Sequence, residues 1–124
     1  MDLVDFKTTF DGVLQTYIEQ KIALSVDLLD NKRLKKIMEY IQTFIFSGGK
    51  RLRPYCVRAV YTGLGGREEK EIIKFAVMFE VFHAMALIHD DIIDSADKRH
   101  NVSTMHGFVE TLLDDVRDKH HAAE

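Results

Sequence analysis

Residues 72–94 form a strongly apolar stretch with no glycine or proline, and the stretch ends in three aspartates, Asp90, Asp91 and Asp94. A run of that length is too long for an ordinary strand and reads as a helix. Asp90 and Asp94 are four residues apart and share one face of it. Like charges at that spacing destabilise a helix by roughly 0.2–0.5 kcal/mol, and the helix dipole disfavours anions near a C-terminus. Three carboxylates gain nothing structural there, and such local violations are expected at functional sites. Magnesium removes the conflict, because it takes one or two carboxylates and completes its shell with water and substrate phosphates. For this motif alone, a solvated acidic helix end is the competing reading.

The same helix carries a stripe. Phe79, His83, Ala86, Asp90 and Asp94 follow one another at helical spacing, with Phe82 and Met85 beside them. A cavity lined by this stripe would hold charge at its mouth and hydrocarbon below; ordinary core packing is the alternative. Upstream lies Gly48-Gly49-Lys50-Arg51-Leu52-Arg53-Pro54. The glycines end one helix and Pro54 suits the first turn of the next. Lys50, Arg51 and Arg53 are thereby held near a helix N-terminus, where backbone N–H groups and the dipole favour anions. Arginine offers a planar fork for phosphate oxygens and lysine a compact charge. Alone, this segment reads equally well as a solvated turn. With the aspartates it describes a site for a metal-bound polyphosphate.

The loop from Gly48 to Pro54, the helical segment from Glu80 to Asp94, and the following Arg99 and His106 resemble the trans-type polyprenyl diphosphate synthases. The likeness is specific over about residues 40–106 and weaker at the ends. It implies an all-α fold, an antiparallel bundle of about five helices corresponding to the N-terminal half of the isoprenoid synthase fold. It also implies magnesium-dependent head-to-tail condensation of isopentenyl diphosphate with an allylic diphosphate. Carried over by position, Lys50, Arg53 and His83 would hold isopentenyl diphosphate. Asp90 and Asp94, supported by Asp91, would bind magnesium on the allylic diphosphate, which Arg99 would also contact. Phe79, Phe82, Met85 and Ala86 would line the pocket that limits product length. Flexible Met85 and small Ala86 would set its floor deeper, for a product of twenty carbons or more.

Two departures from the family pattern stand out. The usual second arginine, glycine and proline after Arg99 are replaced by His100, Asn101 and Ser103. His100 makes one cation weaker or pH-dependent, while Asn101 tolerates the left-handed conformation of glycine. The second Asp-rich motif is also missing: Asp114, Asp115 and Asp118 lie in a polar segment, not on an apolar helix. Residues 1–124 are therefore expected to form one helical domain, a fragment or split subunit of a synthase that is inactive alone. Alternatives are a non-catalytic small subunit of a heteromeric synthase and, more remotely, a metal-binding bundle built on the Glu80-x-x-His83 pair.

The net charge of −3 argues against a nucleic-acid partner. A single cysteine, Cys56, excludes an internal disulfide, fits a reducing compartment and suits a buried small hydrophobe. Acidic Asp2 and Asp5 do not suit a signal peptide, and Glu80 and His83 interrupt the longest apolar run, so no integral membrane segment is expected. The location implied is cytoplasmic. Periodicity predicts helices over 3–24, 33–46, 54–64 and 68–94, with a break at 27–32 and a polar loop over 95–103. A fifth helix starts near Thr104, with a break expected at 114–118. Wide apolar faces on the first and fourth helices imply a homo-oligomer through the Phe79 side, or a complementary C-terminal half.

Overall fold

Phe6, Phe10, Leu14 and Ile18 recur every fourth residue and give the first helix one continuous apolar face. In a computed structural model of the chain, that face is the centre of the core. The structure describes residues 1–29, 31–95, 98–99 and 102–122, with backbone alone at 29, 98, 99, 102, 116 and 120–122. Among them run α1 (Leu3–Leu29), α2 (Lys32–Phe46), α3 (Leu52–Gly63), α4 (Glu69–Ile93), β1 (Lys98–Arg99), β2 (Val102–Ser103) and α5 (Met105–Ala122). The all-α fold with five helices is as expected from the sequence.

Phe6, Phe10 and Leu14 are fully buried against Ile45 of α2 and Ile73, Ala76 and Val77 of α4. Phe6 stacks on Phe10 at 5.4 Å and meets Tyr55 of α3 edge-on. Each such side chain contributes about 1.5–3 kcal/mol on burial. Through them α1 touches α2, α3 and α4, and α4 packs most extensively on α3.

Several boundaries differ from expectation for local reasons. α1 continues through Asp27 to Leu29, because Leu28 and Leu29 are strong helix formers with no breaker before them. The real stop signal is Asn31, whose Oδ1 accepts from the N–H groups of Arg33 at 2.9 Å and Leu34 at 3.3 Å. α3 starts at Leu52, so Pro54 is its third residue, where a missing N–H is still harmless. α5 is not broken at 114–118; Arg117 pairs with Asp114 one turn back along its exposed face. The expected loop over 95–103 contains a two-residue antiparallel ladder, Lys98 opposite Ser103 and Arg99 opposite Val102.

Two further expectations are corrected. Cys56 is exposed, because α3 turns Pro54 inward and leaves Cys56 and Val60 on its outer side. α4 is long and apolar enough, by length and composition, to cross a membrane despite Glu80 and His83. Here it packs on α1, α2, α3 and α5, with Glu80 and Asp91 buried.

Tyr40 joins the hairpin to the bundle. Its ring stacks on Phe108 of α5 at 4.0 Å, and its hydroxyl donates to the Ser103 carbonyl. Burial raises the phenol above its ordinary pKa, and the Ser103 side chain offsets part of that rise. Tyr40 therefore binds its proton more tightly folded than unfolded. Its contribution is complete below the unfolded pKa and is lost as pH climbs through the folded one. Tyr40→Phe should cost about 0.5–1.5 kcal/mol at neutral pH. Urea titrations above pH 10 should show the gap to wild type closing.

Candidate functional site

α2 ends at Phe46, where the Ser47 N–H bonds back to the Phe44 carbonyl, and the chain turns through Gly48 and Gly49 into α3. Gly49 has φ of 108°, a conformation L side chains resist. A Cβ there would also lie 3.1 Å from Arg51 Nη1, so the glycine makes room for the guanidinium. Arg51, the residue that caps α3, is itself left-handed at φ 57°.

That backbone sends the Arg51 side chain inward, not to solvent. Its Nε donates to Asp11 Oδ1 at 2.7 Å, its Nη1 to Glu80 Oε1 at 2.6 Å and its Nη2 to the Ile45 carbonyl at 3.2 Å. Arg51 is 4% exposed and Glu80 6%. Asp11 also holds Lys7, so two cations and two carboxylates balance. The expectation that all three loop cations face outward is thus corrected: Arg51 is buried. Three of the five guanidinium N–H donors go to two carboxylates and a carbonyl, and burial keeps the group away from an anion outside.

The other two remain outward. Lys50 and Arg53 are exposed, and Arg53 Nη1 donates to His83 Nε2 across 3.2 Å. The structure therefore brings Arg53 and His83 together and puts Lys50 on the same loop. A pocket of about 70 Å³ between this loop and α4 is lined by Ser47, Gly48, Gly49 and His83, among others. It has room for several waters.

Glu80 and His83 meet Arg51 and Arg53 respectively, one turn of α4 apart. The Glu-x-x-His pair is accordingly not available as a metal pair, since Glu80 is held by Arg51. Among the described residues no three His, Cys, Asp or Glu side chains gather where they could hold a metal ion.

Asp90 lies about 10 Å further along α4, seven residues beyond His83, and Asp94 about one turn beyond that. Asp90 and Asp94 are exposed, Asp94 as the residue that caps the helix end; Asp91 is 2% exposed and faces the protein interior. Two open carboxylates four apart can share a divalent cation only if other oxygens complete its shell, which is how magnesium binds a phosphate substrate. Arg99 lies in β1, but its side chain is outside the described residues, as are His100 and Asn101.

The apolar stripe is more open than expected. Phe82 and Met85 line a groove with Tyr17 of α1 and Lys74, Val77, Met78 and Val81. Phe79 lies instead edge-on to Phe75 at 5.6 Å, and Ala86 does not line the groove. Phe75, Met78, Phe82 and Met85 are each more than half exposed.

Sequence reasoning missed Asp11. Its signal was present: Lys7, Asp11, Leu14 and Ile18 share a helical face, and a carboxylate interrupting an apolar face needs a buried partner.

A model of the family described as polyprenyl synthetase matches residues 31–118. The chain belongs to the polyprenyl synthetase family. It is 38% identical over 106 residues to the farnesyl diphosphate synthase of Bacillus subtilis, covering 84% of this chain and 32% of that protein. It is 34% identical over 93 residues to the short chain isoprenyl diphosphate synthase of Methanocaldococcus jannaschii, covering 64% of this chain and 28% of the relative. The geranylfarnesyl diphosphate synthase of Methanosarcina mazei is 34% identical over 86 residues, 69% of this chain and 28% of the relative. The chain thus spans about three tenths of the length of these curated relatives of the polyprenyl synthetase family. No solved structure matches it.

Proposed function

We propose that this chain is part of a prenyltransferase that condenses isopentenyl diphosphate with an allylic diphosphate, as a fragment or split subunit. The observation that carries the reading is the order of charge along one helix. Arg53 and His83, with Lys50 beside them, face outward at one level of α4, and Asp90 and Asp94 face outward about two and three turns further on. Two diphosphates of different kinds fit that order: one held by cations alone, the other through a metal. The names of the relatives support this substrate class.

Lys50, Arg53 and His83 are read as the isopentenyl diphosphate site, where the guanidinium and ammonium bind and orient the anion. Asp90 and Asp94 are read as the carboxylates that hold magnesium on the allylic diphosphate, with Arg99 contacting the same group. When bound, magnesium supplies charge neutralisation that helps the allylic diphosphate depart. Phe82 and Met85, at the groove beside α1, are read as walls for the growing hydrocarbon. We place the protein in the cytoplasm. The exposed stripe of α4 suits a further protein surface, either a second copy or a complementary C-terminal half. The same stripe would serve a non-catalytic small subunit, but that role does not call for Lys50, Arg53 and two outward aspartates.

Calorimetry with inorganic pyrophosphate tests the reading. Binding to wild type should be tighter with magnesium than with chelator. Asp90→Ala/Asp94→Ala should abolish that difference. Lys50→Ala or Arg53→Ala should weaken metal-free binding by about 1.5–3 kcal/mol each, as for other hydrogen bonds to charged groups. Equal magnesium dependence in wild type and the double aspartate variant would exclude the metal role.

A further inference from the structure

Arg51 is the loop cation the diphosphate reading leaves out. Its guanidinium reaches α1 through Asp11, α4 through Glu80 and the end of α2 through the Ile45 carbonyl. One side chain therefore ties the loop to three helices. Its own backbone is left-handed at φ 57°, and Gly49 two residues earlier is at φ 108°. A non-glycine residue holds such a conformation when its surroundings over-determine it, and the three hydrogen bonds do so here. The two adjacent residues that point outward, Lys50 and Arg53, lie one residue before and two after this anchor.

On α4 the partners are equally close. Glu80 receives Arg51, and His83, one turn later, receives Arg53. The anchored pair and the outward pair are two parallel connections between the same loop and the same helix. The direction of the second follows from the geometry of the first.

We propose that Arg51 is a positioning residue: clamped between Asp11 and Glu80, it fixes the Gly48–Arg51 loop and the first turn of α3 so that Lys50 and Arg53 meet an anion together with His83. This rests on the diphosphate-binding reading of those three residues. Arg51 makes no contact with the anion itself. It removes the orientational freedom that Lys50 and Arg53 would otherwise lose on binding, so the site is organised beforehand.

The test separates the clamp from the fold and from the site. Arg51→Met/Glu80→Leu removes both buried charges together, which leaves neither without a partner. Asp11 keeps Lys7. Circular dichroism should show wild-type helicity, and calorimetry in chelator should show pyrophosphate affinity reduced about tenfold, the equivalent of one charged hydrogen bond. Adding Lys50→Ala to this variant should then reduce affinity by less than Lys50→Ala does in wild type, since a misplaced lysine has less to lose. A purely structural role would leave that difference unchanged. Glu80→Gln, which keeps an oxygen acceptor for Arg51, should recover most of the affinity. If the double variant fails to fold, Glu80→Ala against Glu80→Gln gives the same comparison. Wild-type affinity in the clamp variants, with Lys50→Ala and Arg53→Ala still weakened, overturns the positioning role alone. Wild-type affinity in Lys50→Ala and Arg53→Ala overturns the diphosphate reading, and the positioning role with it.

Discussion

Replacing Arg51 with alanine should destabilise the fold by about 3–5 kcal/mol, the range for breaking one side of a buried ion pair. Glu80, 6% exposed, would be left with a buried charge and no cation, and Asp11 would keep only Lys7. The loss is a large fraction of the 5–15 kcal/mol typical of a domain. Arg51→Gly should be less damaging by about 1 kcal/mol, because the left-handed backbone at this position costs an L residue about that much and glycine nothing. Urea unfolding followed by circular dichroism measures both. An Arg51→Ala variant within about 0.5 kcal/mol of wild type, the size of an ordinary surface effect, would mean that solvent reaches Glu80 and the network is not closed.

Phe10→Ala should have a similarly large effect, about 3–5 kcal/mol, by opening a cavity in the core. Phe10 is fully buried and stacks on Phe6, which in turn meets Tyr55 of α3. The cavity would lie next to Asp11, so the variant should also weaken the hold of α1 on Arg51. Urea unfolding reads the first effect, and pyrophosphate affinity at low urea reads the second. A small stability change would indicate that neighbouring side chains collapse into the space.

The helices were legible because their determinants are local. Apolar spacing marks α1 and α2, and paired glycines mark the ends of α2 and α3. The boundary errors have local causes too: Asn31 caps α2 better than Asp27 ends α1, and an i,i+3 ion pair supports α5 where a break was expected. Motif and spacing singled out Lys50, Arg53, His83, Asp90 and Asp94 as a set, and the structure leaves Lys50, Arg53, Asp90 and Asp94 exposed. What spacing alone did not give was the division of labour within each motif. Arg51 and Asp91 sit among outward-facing residues of the same charge, yet both are buried, and tertiary packing decides that. Glu80 was visible as half of a possible metal pair, whereas its partner is 29 residues earlier in the chain.

The Arg51–Glu80 pair has one more effect, on the azimuth of α4. Ile72, Ile73, Ala76 and Val77 face the core while Phe75, Met78, Phe82 and Met85 are as apolar on the other side. A helix greasy on both sides has little to stop it rolling about its own axis, since one apolar face can replace another at small cost. A salt bridge inside such an interface acts as a key, allowing one rotational setting and penalising the rest. Each residue of slip turns a helix by about 100°. Glu80 in its lock therefore sets the compass bearing of every residue downstream on α4, Asp90 and Asp94 included.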